Sequence, residues 1–267
     1  CYAVVFGAPA ASSIFAMEVV SVGVMHYAAI VPCFLSAIIA RGISKYMGIA
    51  ATTFSIGDVP SINFASGSKL VLLGIIFAAV SMLYIVAFET FSKFFKAVLK
   101  NQYLIMAVGG GIVALLTLVL QSNEYLGTGI SQIPDLLFVS APWYVFLLKI
   151  LFTAVSLGAG FKGGEIAPAM FVGASLGSFL APMFGLPIPL VVACGMAAVF
   201  CGVTNSPITA IVFSVELFGA SQIYYTMICV AVSYLISEYF SIYKTQKIMY
   251  SKYSTTFINR KSHHIDT

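Results

Sequence analysis

Residues 158–177 read GAGFKGGEIAPAMFVGASLG, and no Asp, Glu, Lys or Arg occurs from Ile166 to Val215. Only a lipid bilayer or a large buried core tolerates an uncharged run of that length, and Glu165 stands at its doorway. An ionisable group so placed is a functional-site hypothesis by default. Outside this stretch the bias persists: 60% of the chain is hydrophobic, 8% is charged and the mean hydropathy is +1.02. Soluble domains carry about 25% charge, so the chain reads as an all-α integral membrane protein. Residues 70–88, 104–120, 141–157 and 223–240 are apolar stretches close to the ~20 residues that span a bilayer. They are continuously apolar, without the two-residue alternation of a membrane barrel, so helices are expected.

Cations gather where apolar runs end: Arg41 with Lys45, Lys93 with Lys96 and Lys100, and the tail from Lys244 to Lys261. The positive-inside tendency makes these cytoplasmic flanks, with the C-terminus in the cytoplasm; as solvated flanks they give no reason to expect a nucleic-acid partner. Cys1, Cys33, Cys194, Cys201 and Cys229 are scattered, which indicates neither a zinc site nor a disulfide framework. Residues 1–267 read as a single membrane domain, with residues 244–267 carrying the last helix and a polar cytoplasmic tail. The chain enters at Cys1 inside an apolar segment, without a charged leader, and so reads as the C-terminal part of a longer protein.

An internal comparison organises the chain. VFGAPAASSIFAMEVV (5–20) aligns with VTNSPITAIVFSVELF (203–218), pairing Pro9 with Pro207, Phe15 with Phe213 and Glu18 with Glu216 at one offset. Each copy has a small-residue turn, a proline suited to a first helical turn and an apolar helix ending in glutamate. Duplicated halves with a binding site at their interface are a common transporter construction; chance similarity among apolar helices is the bland alternative, and the relative direction of the copies is open. Pro32 interrupts residues 14–40, and Pro182, Pro187 and Pro189 cut residues 168–200. Tilted and broken helices are expected, which survive in lipid only where backbone is buried in protein or lines a wet cavity. Residues 55–68 and 121–135 read as surface loops.

The turn GFKGGEIAP can aim several unpaired N–H groups at one point, because glycine lifts steric limits and Pro168 presets the following helix. A helix N-terminus carries about half a positive charge and orphan donors, which makes an anion site. The candidate ligands are the backbone amides of Gly164, Glu165 and Ile166. Glu165 has two readings. It complements the helix dipole, or its carboxylate occupies the anion's place and leaves on protonation, linking anion passage to pH. Lys162 is a loop cation that can also attract anions. Glu18 and Glu216 are expected to hydrogen-bond neighbouring backbone or Ser/Thr groups rather than carry protons.

GGEIAPAMFVGASLG resembles the GGxFxP helix start of the CLC family of chloride channels and proton-coupled anion antiporters. APAASSIFAMEVV is similar to its APLAG…E helix, TNSPITAIVFSVEL to the second-half counterpart and GTGISQIP to its glycine-rich loop. KIMYS (247–251) resembles the KPLYS segment whose tyrosine hydroxyl reaches the central anion, which maps that role onto Tyr250. The resemblance implies a CLC-like bundle of inverted repeats with its N-terminal part missing, including the loops that supply a central serine and the GREGP gating glutamate. It implies transmembrane transport of a halide with protons, by a chloride channel or chloride–proton antiporter, in a homodimer within the plasma (inner) membrane. It implies no cofactor and no enzymatic activity. Two departures matter. Val19 stands where several antiporters keep an internal proton-transfer glutamate, and Glu165 with Ile166 replaces apolar residues ending in phenylalanine. A glutamate there is similar to the fluoride–proton antiporter branch, so fluoride is the alternative substrate.

Two other classes were weighed. A serine–histidine intramembrane enzyme has only His26 to use outside the tail histidines His263 and His264. A membrane scaffold has no use for broken helices around a buried carboxylate.

Overall fold

The computed structural model describes residues 2–49, 53–57, 59–254 and 256–261; Cys1, His263 and His264 lie outside them. Eleven α-helices occur among the described residues: α1 (Tyr2–Val5), α2 (Pro9–Glu18), α3 (Ile30–Tyr46), α4 (Phe64–Val98), α5 (Gln102–Leu120), α6 (Ile133–Leu136), α7 (Tyr144–Gly158), α8 (Ile166–Phe184), α9 (Ile188–Thr204), α10 (Pro207–Phe218) and α11 (Ile223–Ile236). The segment Tyr27–Tyr46, which ends in α3, and helices α4, α5 and α8 are long and apolar enough to cross a membrane. At a rise of ~1.5 Å per residue α4 is about 52 Å long, well beyond a ~30 Å hydrocarbon core, so it tilts or projects.

Helix boundaries follow local chemistry. Asn63 and Ser66 form a reciprocal capping box at the start of α4, and the Asn101 side chain accepts from Tyr103 N–H at 3.0 Å to start α5. Pro182 does not cut its segment as expected. It sits in the last turn of α8, and the break comes at Gly185, whose left-handed φ of 61° ends the helix before Pro187 and Pro189 open α9. The loop expected over residues 55–68 yields to helix at Phe64, and that over 121–135 tightens into a 3-10 turn, Ile130–Gln132, before α6.

The core is the α8–α9 pair, flanked by α4, α7 and α11. Residues 166–178 of α8 and 190–204 of α9 are buried throughout, whereas α3 and α5 expose most of their apolar surface. Gly173 and Gly195 meet where the two helices cross: a Cβ on either would strike the other's carbonyl oxygen. Gly177 packs as closely on the Val191 carbonyl. Small residues four apart let helix backbones approach closely, which in lipid replaces the missing hydrophobic drive with van der Waals contact.

Helices α2 and α10 are the two copies of the repeat, and they run in opposite directions. The Glu216 carboxylate in the last turn of α10 accepts from Ala10 and Ala11 N–H at 3.0 and 2.8 Å. The Glu18 carboxylate, closing α2, accepts from Ile208 and Thr209 N–H at 3.0 and 2.8 Å and from the Thr209 hydroxyl at 2.6 Å. At 10 and 12 residues these helices are too short to span a bilayer. Their first-turn donors need protein acceptors, and each helix supplies them to the other. The paired phenylalanines Phe15 and Phe213 both pack on Phe200, at centroid distances of 5.7 and 5.8 Å.

The all-α architecture carries one small exception. Strands β1 (Ser21–Val22), β2 (Lys247–Tyr250) and β3 (Phe257–Lys261) form a sheet in which β1 pairs parallel and β3 antiparallel to β2. The helix expected within residues 244–267 is therefore corrected: Lys247–Tyr250 and Phe257–Lys261 are strands, the first paired with the backbone that follows Glu18. Lys252 pins this tail. Its Nζ donates to Asn205 Oδ1 at 2.6 Å and Tyr234 O at 2.8 Å, and lies 4.2 Å from the Tyr234 ring centroid. Burial pushes its ammonium down to about 8.

Candidate functional site

In the turn ahead of α8 only Gly160 uses glycine's freedom, with a φ of 90°, whereas Gly163 and Gly164 keep ordinary backbone and leave room for a side chain. Residues 161–164 are exposed, Glu165 is half-buried and the chain is buried from Ile166 onward. Glu165 is the N-cap residue, and its carbonyl takes the first helical bond from Ala169 N–H at 3.4 Å. Tyr84, buried on α4, donates its hydroxyl to the same carbonyl at 2.8 Å and so fixes the turn. Among the described residues, the N–H groups of Gly164, Glu165, Ile166 and Ala167 find no protein acceptor. Four orphan donors, running from exposed Gly164 to buried Ala167, suit a partner of negative charge.

Two cavities meet this turn. One, of about 220 Å³, is lined by Gly163, Gly164 and Pro168 together with Thr128, Ser156 and Lys162. The other is a narrow apolar crevice of about 10 Å³, lined by Ile166, Tyr2, Phe15, Phe200 and Phe213. Consecutive residues of one turn thus face different spaces, with Glu165 between them.

The side chain of Glu165 lies within electrostatic reach of Lys244 and of the hydroxyls of Tyr2, Tyr84 and Tyr243. The Tyr2 and Tyr243 hydroxyls lie near one another, and the Tyr243 ring is 6.4 Å from that of Phe15. Tyr250 stands elsewhere. It ends β2, is 41% exposed and packs edge-on against Phe257 at 5.6 Å. The structure therefore brings Tyr243 to the turn in place of Tyr250. The strand pairing with β1 and β3 carries residues 247–250 away, while Tyr243, just beyond α11, faces the repeat helices. With 14 tyrosines in the chain, no local signal sets Tyr243, Tyr84 or Tyr2 apart. Glu18 and Glu216 stand at the helix ends as acceptors for backbone N–H. Lys162 lies on the rim of the larger cavity.

Orphan amides at a buried helix start, a glutamate among them and antiparallel repeat helices alongside agree with a family match over residues 2–238 to the voltage gated chloride channel description. The chain belongs to the voltage gated chloride channel (CLC) family. A chloride/fluoride channel protein of Pseudomonas syringae pv. tomato is 36% identical over 259 residues, covering 94% of this chain and 57% of the relative. The crystal structure of a CLC-type fluoride/proton antiporter superposes with a TM-score of 0.88 at 32% identity, over 92% of this chain and 63% of that one. A slow cyanobacterial Cl⁻/H⁺ antiporter shares the fold, with a TM-score of 0.69 at 19% identity over 88% of this chain and 58% of that one. This CLC chain thus spans about three-fifths of the relatives it matches, and it is an integral membrane protein.

Proposed function

We propose that the full-length protein moves halide ions across a membrane as a CLC-type channel or anion/proton antiporter, in which the Gly164–Ala167 amides hold the ion. The observation that carries this reading is the set of orphan N–H groups between two cavities with Glu165 among them. A partly dehydrated halide is held there by partial charges, strongly enough to enter and weakly enough to leave. Chloride is the family's default ion. The names of the 36% identical relative and of the fluoride/proton antiporter structure support fluoride as a second substrate. A homodimer in the plasma membrane with a cytoplasmic C-terminus completes the reading, the orientation resting on the lysines from Lys244 onward. Chloride and fluoride efflux from proteoliposomes, recorded with a proton electrode, tests it. Absence of flux for both ions sinks it, and peptide cleavage in its place would make the protein an enzyme.

Glu165 is the proton-responsive group in this reading. As a carboxylate it repels a halide from the amides; as the neutral acid it does not, so flux rises as pH falls. Glu165→Gln is expected to hold flux at its acid level across the whole pH range. An unchanged pH profile would leave Glu165 a dipole cap. Tyr243→Phe removes one hydroxyl beside the turn and is expected to change halide affinity by a few fold, in keeping with ~1 kcal/mol per hydrogen bond. That change should exceed the one caused by Tyr250→Phe, and isothermal titration of both variants decides between the two tyrosines.

A further inference from the structure

Lys149, in the middle of α7, has no exposed surface. Its Nζ donates to the carbonyls of Tyr125 and Gly127 at 3.1 and 3.0 Å and lies 5.2 Å from the Phe171 ring centroid. Among the described residues no carboxylate pairs with it. Removing an ammonium from water without a counter-ion is costly, and two neutral carbonyls and an aromatic face recover only part of that cost. A methionine would fill a similar volume with no such penalty, so the charge calls for a use.

Its surroundings indicate one. Tyr125 and Gly127, which accept its protons, line the same cavity as Gly163 and Gly164. Phe171, which it overlies, is five residues beyond Ile166, about 7.5 Å along α8 at ~1.5 Å per residue. The buried cation therefore sits behind the cavity wall, against a ring carried on α8 about one and a half helical turns beyond the orphan amides.

We infer that Lys149 is the fixed counter-charge for a halide held at the Gly164–Ala167 turn, setting anion affinity through its field rather than by contact. This rests on the anion-transport reading above. The cost of burying the ammonium is offset when the anion arrives, and the anion gains a partner that needs no reorganisation. A unit charge ~10 Å from the ion, at an effective dielectric of ~20, would change affinity roughly tenfold. Burial also shields Lys149 from counter-ions. Its effect persists in high salt, whereas that of the exposed Lys162 is screened.

The test uses the full-length protein and titrates chloride and fluoride into the wild type and into Lys149→Met, Lys149→Gln and Lys149→Arg, at low ionic strength and in a high concentration of a bulky organic-anion salt. Arginine keeps the charge and is expected to bind within about threefold of wild type. Glutamine keeps an N–H donor for the loop carbonyls but no charge, and with methionine it is expected to bind about tenfold more weakly at both ionic strengths. Wild-type affinity in the glutamine variant would overturn the proposal and leave Lys149 a pin for the Tyr125–Gly127 loop. Loss of the difference in high salt would overturn it as well. If the methionine variant does not fold, the glutamine–arginine contrast carries the same decision. A wild-type protein that neither binds nor transports halide would instead refute the function proposed above.

Discussion

Gly173→Val is expected to abolish the folded protein. The new Cβ would be driven into the carbonyl of Gly195, with Met196 N–H 3.0 Å away. These are backbone atoms of a fully buried helix, and no side-chain rotamer can relieve the contact. Overpacking a core costs ~1–3 kcal/mol where side chains can shift; here α8 and α9 must move apart, so about 3 kcal/mol or more is expected. The separation would also strip contacts along the whole crossing, since Gly177 rests on Val191 in the same way. Size-exclusion profiles and heat-induced loss of the monodisperse peak in detergent measure the outcome. Gly111→Ala in α5 is the control, because a Cβ there meets nothing within 4 Å and alanine favours helix by ~1 kcal/mol. Equal behaviour of the two variants would show that the α8–α9 crossing does not limit stability.

Glu18→Ala is expected to cost about 3 kcal/mol or more, because one carboxylate satisfies three donors of α10. The substitution strands the N–H groups of Ile208 and Thr209 and the Thr209 hydroxyl, all held by one carboxylate. Each stranded group costs ~1–3 kcal/mol in a buried setting, and water cannot replace the carboxylate without opening the α2–α10 contact. Glu18→Gln keeps one acceptor oxygen and is expected to lose about half as much. A melting midpoint for Glu18→Ala equal to wild type would refute the reciprocal cap. Glu216→Ala should follow the same direction with a smaller loss, because its two bonds are only partly buried.

These glutamates also show how far local reading reaches. Each sits in the last turn of its own helix, where the macrodipole disfavours a carboxylate, so the sequence marks both as odd without saying what they serve. The answer comes from the partner helix about 200 positions away, whose N-terminus wants that charge. GASLG is similar. It has the GxSxG spacing of a hydrolase elbow, but it lies inside α8 with the Ser175 hydroxyl donating to the Phe171 carbonyl, and its meaning as a backbone contact depends on Gly195 arriving opposite. Tyr250 was chosen by motif resemblance, and strand pairing moves it off the turn. Lys149 carries no local signal, since a lysine inside an apolar run shows nothing of the carbonyls it will meet.

The amino-acid order alone determined what depends on neighbours in the chain. Hydropathy set the membrane class, proline and glycine set where helices start and stop, and GGEIAP set a turn rich in free amides. Only the tertiary structure decided that the repeats oppose one another, that Tyr243 rather than Tyr250 meets Glu165, and that a buried ammonium stands behind the cavity wall. The reason is physical: dihedral preferences and hydropathy act over a few residues, whereas these contacts join groups tens to hundreds of residues apart and exist only once the helices have packed.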